Sequence, residues 1–127
     1  VGVEPSGAAK MTASLAAGQP VTLDRTQSIA DGLMPVRPGD LTFEHVRAYV
    51  DHVVTVDDAL IARAALWLFY ETKQVVEPSG AASVAATLWP AAGSPLADRS
   101  AVVVVVLSGG NVAPETLASL EPVAPSL

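Results

Sequence analysis

Residues 102–111 read Val-Val-Val-Val-Val-Leu-Ser-Gly-Gly-Asn. Five β-branched residues in succession, with no polar residue between them, predict a strand over 102–106 that is covered on both faces, as strands are in a parallel sheet. In open α/β sheets, ligands sit beyond the carboxyl ends of the strands. Leu107-Ser108-Gly109-Gly110-Asn111 follows this strand directly, offering at Ser108 a hydroxyl and at the glycines a backbone that a ligand can approach closely. A plain glycine turn leading into a helix accounts for the same residues, and on pattern alone the two readings weigh evenly.

The rest of the chain supports an α/β reading. Val1 to Glu4 reads as a short strand, and Pro5-Ser6-Gly7 opens a helix from about Ala8 to Ala17 that Gly18 closes. Pro20 to Pro38 is rich in turn formers and reads as an irregular crossing. Leu41, Phe43, Val46 and Val50 suggest a short amphipathic helix, followed by a strand at Val53 to Val56. Ile61, Ala64, Ala65, Leu68 and Phe69 recur at helical spacing behind Asp57 and Asp58, as far as about Lys73. The heptapeptide Val-Glu-Pro-Ser-Gly-Ala-Ala occurs at 3–9 and again at 76–82, and its second copy opens an Ala-rich helix to about Leu88. Nothing aligns beyond the seven residues, so two helix starts explain the repeat better than a duplication. Pro114 begins a last short helix. The expected fold is α/β, a mostly parallel sheet flanked by helices.

Composition bounds the function. At 127 residues and 50% hydrophobic, the chain can bury one modest core. A net charge of −6 with seven Lys plus Arg offers no basic stripe, which argues against nucleic acid as a partner. The absence of cysteine excludes disulfides and thiolate metal sites, and it fits a reducing compartment. The apolar run 101–107 is too short to span a bilayer. These features predict a soluble, cytoplasmic protein. Val1 takes the place of an initiator Met and opens straight into a strand, so the chain reads as cut from something longer.

Individual polar residues carry little by themselves. Glu4 and Glu77 stand beside helix starts, where a carboxylate is favoured by about 0.3 to 1 kcal/mol without any further role. Their alternative role is as a hard-cation ligand or a group facing a cofactor. Lys10 and Lys73 are the only lysines, and neither has the setting of a Schiff-base nucleophile. His45 and His52 lack the companions of a metal site or a triad. Trp67 and Tyr70 flank the apolar stripe of the long helix and suit a core or subunit contact.

Taken in order, Val1-Gly2-Val3-Glu4-Pro5, Ile29-Ala30-Asp31-Gly32, Arg37-Pro38-Gly39-Asp40-Leu41-Thr42-Phe43, Val53-Val54-Thr55-Val56, Val75-Val76-Glu77-Pro78-Ser79-Gly80-Ala81 and Leu107-Ser108-Gly109-Gly110-Asn111-Val112 resemble the threonine dehydratases and serine racemases. These enzymes depend on pyridoxal phosphate (PLP) and share the tryptophan-synthase-β-like fold, fold type II. The resemblance runs over nearly the whole chain. It implies that Ser108, with Gly109, holds the pyridine nitrogen of PLP, that Glu77 is the carboxylate near the cofactor ring, and that Gly32 lines the pocket. A neutral hydroxyl does not enforce protonation of the ring nitrogen, which suits β-elimination of a hydroxyl. Glu4 and the carbonyl of Ala8 match two ligands of a divalent-cation site found in some members. Lys10 stands where those members have a third, acidic ligand, so a lysine ammonium replaces the ion and no cation is expected.

The family's Schiff-base lysine, substrate-carboxylate loop and glycine-rich phosphate loop lie upstream of the stretch that begins at Val1. The resemblance therefore implies that residues 1–120 are the C-terminal portion of the large PLP domain, with 121–127 a disordered tail. The expected function is a segment of an ammonia-lyase acting on threonine or serine. It would supply the pyridine-nitrogen side of the cofactor site, bind PLP together with the missing N-terminal half, and not be catalytic alone. The alternative is a non-catalytic module that self-associates as a homodimer. A third possibility is an unrelated small-molecule binder with an anion site at Ser108 to Asn111.

Overall fold

A computed structural model describes residues 1–98 and 100–124. Strand β1 (Gly2–Pro5) lies parallel to β2 (Val53–Val56), with Gly2 opposite Val53 and Pro5 opposite Val56. Helices α1 (Lys10–Ala17) and α2 (Asp40–Tyr49) fall between the two strands in sequence, so the parallel pair is closed by a crossover, as parallel pairing requires. Helices α3 (Asp58–Trp67) and α4 (Pro78–Leu88) follow and pack on one another, and α5 (Pro114–Leu120) packs against α3.

The core sits between α3 and α4. Ile61, Ala62, Ala64, Ala65 and Leu66 meet Ala81, Ala82, Val84, Ala85 and Ala86, and Val56 from β2, Val76, Ala30, Leu68 and Leu120 complete the cluster. The many alanines leave little side-chain bulk between the two backbones, which places the N-terminus of α4 firmly. Arg63 lays its guanidinium over the Trp89 ring at 4.3 Å from the centroid, a cation–π contact between α3 and the end of α4.

Several helix ends follow their sequence signals. The Asp57 carboxylate accepts from the Leu60 amide at 2.8 Å and caps α3. Pro78 takes the first turn of α4. Gly18 closes α1 at φ 70°. The long helix over 58–73 is regular only to Trp67. Leu68–Thr72 widens into a π-turn, and Lys73 ends it in the left-handed region at φ 59°.

Three expectations need correction. Residues 102–106 pair with no strand among the described residues. The segment runs extended along α4, with Ser83 Oγ donating to the Val106 carbonyl at 2.9 Å. Val105 packs on the core, while Val102 is 96% exposed and Val104 87% exposed. A groove of about 400 Å³ lined by Val1, Val3, Ser83 and the valines separates this segment from β1, so no ladder joins them. Second, the first Val-Glu-Pro-Ser-Gly-Ala-Ala does not open a helix at Ala8. It completes β1, passes through a 3-10 turn at Ser6–Ala8, and reaches α1 only at Lys10. Third, Leu41 points to solvent, and Phe43 alone of α2 is buried.

Glu121 to Ala124 form a turn, with the Val123 and Ala124 amides donating to the Leu120 carbonyl, and residues 125–127 of the expected tail lie outside the described residues.

Candidate cofactor site

The site begins at the start of α4. Glu77 is the residue just before Pro78, with φ −67° and ψ 158°, and its carbonyl accepts from the amides of Gly80 and Ala81 at 3.0 Å. Its own N–H donates to the Gly109 carbonyl at 2.8 Å, which ties the Ser-Gly-Gly segment to the helix start. The approach is closer than a side chain would permit. A Cβ on Gly80 would come within 1.6 Å of the Ser108 carbonyl oxygen. Gly109 has φ +75°, and a Cβ there would lie 2.2 Å from the carboxyl carbon of Glu77.

Gly32 reaches the same place from the irregular crossing. It lies in the 3-10 turn Asp31–Leu33, and its N–H donates to Ser79 Oγ at 3.0 Å and to Asp31 Oδ1 at 2.8 Å. A Cβ on Gly32 would be 4.0 Å from Glu77 Oε1. The Glu77 carboxylate thus stands beside both Gly32 and Gly109. Among the described residues, neither this half-buried carboxylate nor the exposed Ser108 hydroxyl has a hydrogen-bond partner. Of the four residues expected at the cofactor, Glu77 brings Gly32 and Gly109 together, and Ser108 joins them through its contact with Gly80.

Ser79 and Asp31 belong to this cluster and went unread in the sequence. Their signal lay within motifs already singled out, the Ser of the second heptapeptide and the Asp before Gly32.

The other candidates lie apart from it. Glu4 is buried, 4% exposed, and its carboxylate accepts from the Met11 amide at 2.9 Å, the Thr12 amide at 2.8 Å and Thr12 Oγ1 at 2.6 Å. This is a carboxylate serving a helix N-terminus. Ala8, four residues further on in the 3-10 turn, is fully buried. Lys10 forms no ion pair with Glu4. Its Nζ donates instead to the Leu33 carbonyl at 2.8 Å. Among the described residues, no group of three or more His, Asp or Glu is gathered as for a metal ion. Lys73 Nζ donates to the Tyr70 carbonyl, and His45 Nδ1 meets the Leu41 carbonyl within its own helix. A cavity of about 480 Å³ lies along β2, between Thr12 and Trp89. Of its polar lining, Thr12, Asp57 and Ser94 are occupied with Glu4, the α3 cap and the Leu96 amide, and Thr55 alone adds a further hydroxyl, so it is the weaker candidate despite its size.

The Ser108 cluster offers a heteroaromatic ring a hydroxyl and a carboxylate that hold no other hydrogen bond among the described residues. A hydroxyl serves as donor or acceptor to a ring nitrogen. The glycines let Ser108, Glu77 and the Gly32 turn close on one another where a Cβ would intervene. Comparison with known proteins gives the family: the model "Pyridoxal-phosphate dependent enzyme" matches residues 1–109, and the chain belongs to that family. It is 39% identical over 112 residues to the L-threonine ammonia-lyase of Thermotoga maritima, a match over 88% of this chain and 27% of the relative. A serine racemase of Oryza sativa is 42% identical over 110 residues, 86% of this chain and 32% of the relative. Among solved structures, maize serine racemase superposes with a TM-score of 0.80 at 41% identity, over 91% of this chain and 36% of that one. The processed threonine deaminase isoform 2 of Solanum lycopersicum gives 0.84 at 29% identity, over 96% and 35%. The chain therefore has the α/β architecture of the fold-type-II PLP enzymes and spans about a quarter to a third of the curated relatives it matches. Among the described residues, no helix is long and apolar enough to cross a membrane.

Proposed function

We propose that this chain forms the pyridine-nitrogen side of the cofactor site of a PLP-dependent ammonia-lyase of the cytoplasm, acting on threonine or serine. One observation carries the reading. A free hydroxyl on Ser108 and a free carboxylate on Glu77 are held together by the backbone bond from Glu77 to Gly109 and by the contact of Gly80 with the Ser108 carbonyl. When bound, PLP supplies an electron sink for loss of a β-hydroxyl.

The chain's own residues have narrower tasks. The Ser108 hydroxyl bonds the ring nitrogen without protonating it. Gly32 and Gly109 let the backbone approach the Glu77 carboxylate closely, and that carboxylate offers an acceptor beside them. Lys10 and Lys73 are both engaged with backbone carbonyls, and the resemblance assigns the Schiff-base lysine to a completing segment. With that segment the product is a 2-keto acid and ammonia.

The test is 2-keto acid release from threonine and serine with added PLP, by this chain alone and mixed with the completing segment. Activity is expected only in the mixture, and Ser108→Ala should lower it roughly tenfold, the worth of one hydrogen bond. No activity in the mixture from folded components would overturn the reading.

The exposed valines favour one second reading, a non-catalytic module that self-associates through them. A well-behaved dimer that takes up no PLP would support it.

A further inference from the structure

We infer that Lys10 and Ser79 are positioning residues that clamp the Asp31–Leu33 turn from two sides and so hold Gly32 at the edge of the cofactor site. The inference rests on the cofactor reading above, and it concerns residues to which that reading gives no task.

The turn has little structure of its own. Its backbone bonds are those from the Leu33 amide to the Ala30 carbonyl, at 2.9 Å, and from the Met34 amide to the Asp31 carbonyl, at 3.1 Å. Its flanks are secured elsewhere: Asp58 accepts from Ser28 Oγ and the Ile29 amide, and Thr26 Oγ1 donates to the Met34 carbonyl. Ala30 and Leu33 pack on the core, and between these anchors the two long-range hydrogen bonds to the turn come from Lys10 and Ser79.

The placement of Lys10 calls for a partner. A cation on the first turn of α1 opposes the helix dipole. The nearby Glu4 carboxylate is already engaged with the Met11 and Thr12 amides and makes no ion pair with it. The ammonium is instead directed to the Leu33 carbonyl, 23 residues away, in a partly buried contact. A charge-assisted hydrogen bond to a carbonyl is stronger than a neutral one.

Ser79 acts from the other side. It lies on the first turn of α4, two residues after Glu77. Its hydroxyl accepts from the Gly32 N–H at 3.0 Å and points its own proton at Asp31 Oδ1, 3.4 Å away. One hydroxyl can accept and donate at once. The clamp therefore couples the Gly32 turn to the same helix start that presents Glu77. If the turn drifted, the glycine would no longer stand flush with that carboxylate.

Two readouts test this on Lys10→Met, Lys10→Arg, Ser79→Ala and Ser79→Thr. The first is hydrogen exchange of the amides of residues 29–34 in the 127-residue chain, with α4 as the internal control. The second is the PLP dissociation constant of the chain mixed with its completing segment, read from cofactor absorbance. Lys10→Met and Ser79→Ala should each speed exchange of the turn about tenfold and weaken PLP severalfold, with α4 protection and the thermal midpoint unchanged. Lys10→Arg and Ser79→Thr should restore both. Unchanged turn exchange in Lys10→Met and Ser79→Ala, or loosened turns with unchanged PLP affinity, would overturn the inference. If Ser79→Ala fails to fold, the Lys10 pair decides. Should the unaltered mixture take up no PLP, the cofactor reading fails. The exchange data then show separately whether the clamp exists.

Discussion

Gly80 and Gly109 show how much of the site depends on missing side chains. In an ordinary helix, replacing Gly by Ala gains about 0.5 to 1 kcal/mol. At position 80 the sign should reverse, because the new Cβ would fall 1.6 Å from the Ser108 carbonyl oxygen and 2.9 Å from Val76 Cγ1. Gly80→Ala is expected to cost at least about 2 kcal/mol in urea denaturation, as overpacking does, and to push the Ser-Gly-Gly segment off α4. Gly109→Ala should cost less, about 1 kcal/mol, for its left-handed backbone. The group its Cβ would meet is the tip of the Glu77 side chain, which can swing away. Glu4 gives a second residue-scale test. Its carboxylate accepts three hydrogen bonds while 4% exposed. Glu4→Gln puts an NH₂ group against amide donors and is expected to cost about 2 kcal/mol by thermal or chemical unfolding.

At the scale of elements, the sequence was most legible where a signal acts locally. Asp57 caps α3 and Pro78 opens α4, because capping and proline geometry need only a few neighbouring residues. Asp57→Ala should accordingly lower stability by about 1 kcal/mol. Signals that depend on distant partners misled. The two heptapeptide copies are identical, yet Glu4 belongs to β1 and Glu77 precedes α4. Only the first copy finds a parallel strand to pair with. The sequence singles out Ser108, Gly109, Glu77 and Gly32 as candidates one by one, and the fold brings them together. The contacts made by Lys10 and Ser79 span 23 and 47 residues, and no local pattern encodes them. The tie between the π-turn and α5's end has a pH signature. The Tyr70 hydroxyl donates to Glu121 Oε1 at 3.1 Å, and this bond, with the nearby negative charge, raises the phenol above its ordinary value. A raised phenol pKa means the neutral form is favoured in the fold. The contact is therefore intact below the ordinary tyrosine range and is lost as pH climbs through the raised value. Glu121→Gln should bring the Tyr70 titration, followed by ultraviolet absorbance, back down toward pH 10.

For the whole molecule, the valine run connects the fold to what the chain must meet. Such a run ordinarily belongs in a sheet buried on both faces, and its composition was read that way. A strand, however, is defined by its neighbour, and here β1 lies across a groove from residues 102–106. The side chains of Val102 and Val104 are left almost wholly in solvent while Val105 reaches the core. Exposed backbone edges and apolar side chains together favour strand addition. In isolation the chain should therefore associate in a concentration-dependent way, measurable by sedimentation velocity. Val102→Lys with Val104→Lys should abolish this while leaving the thermal midpoint unchanged, since those side chains touch so little of the fold. Undiminished association in the double variant would move the contact elsewhere, to surfaces such as exposed Leu41 and Tyr49. The same variant separates the two functional readings. If the run is where a completing segment packs, the substitutions should also depress 2-keto acid release by the mixture. If it serves only to join copies of this chain, they should leave that release untouched.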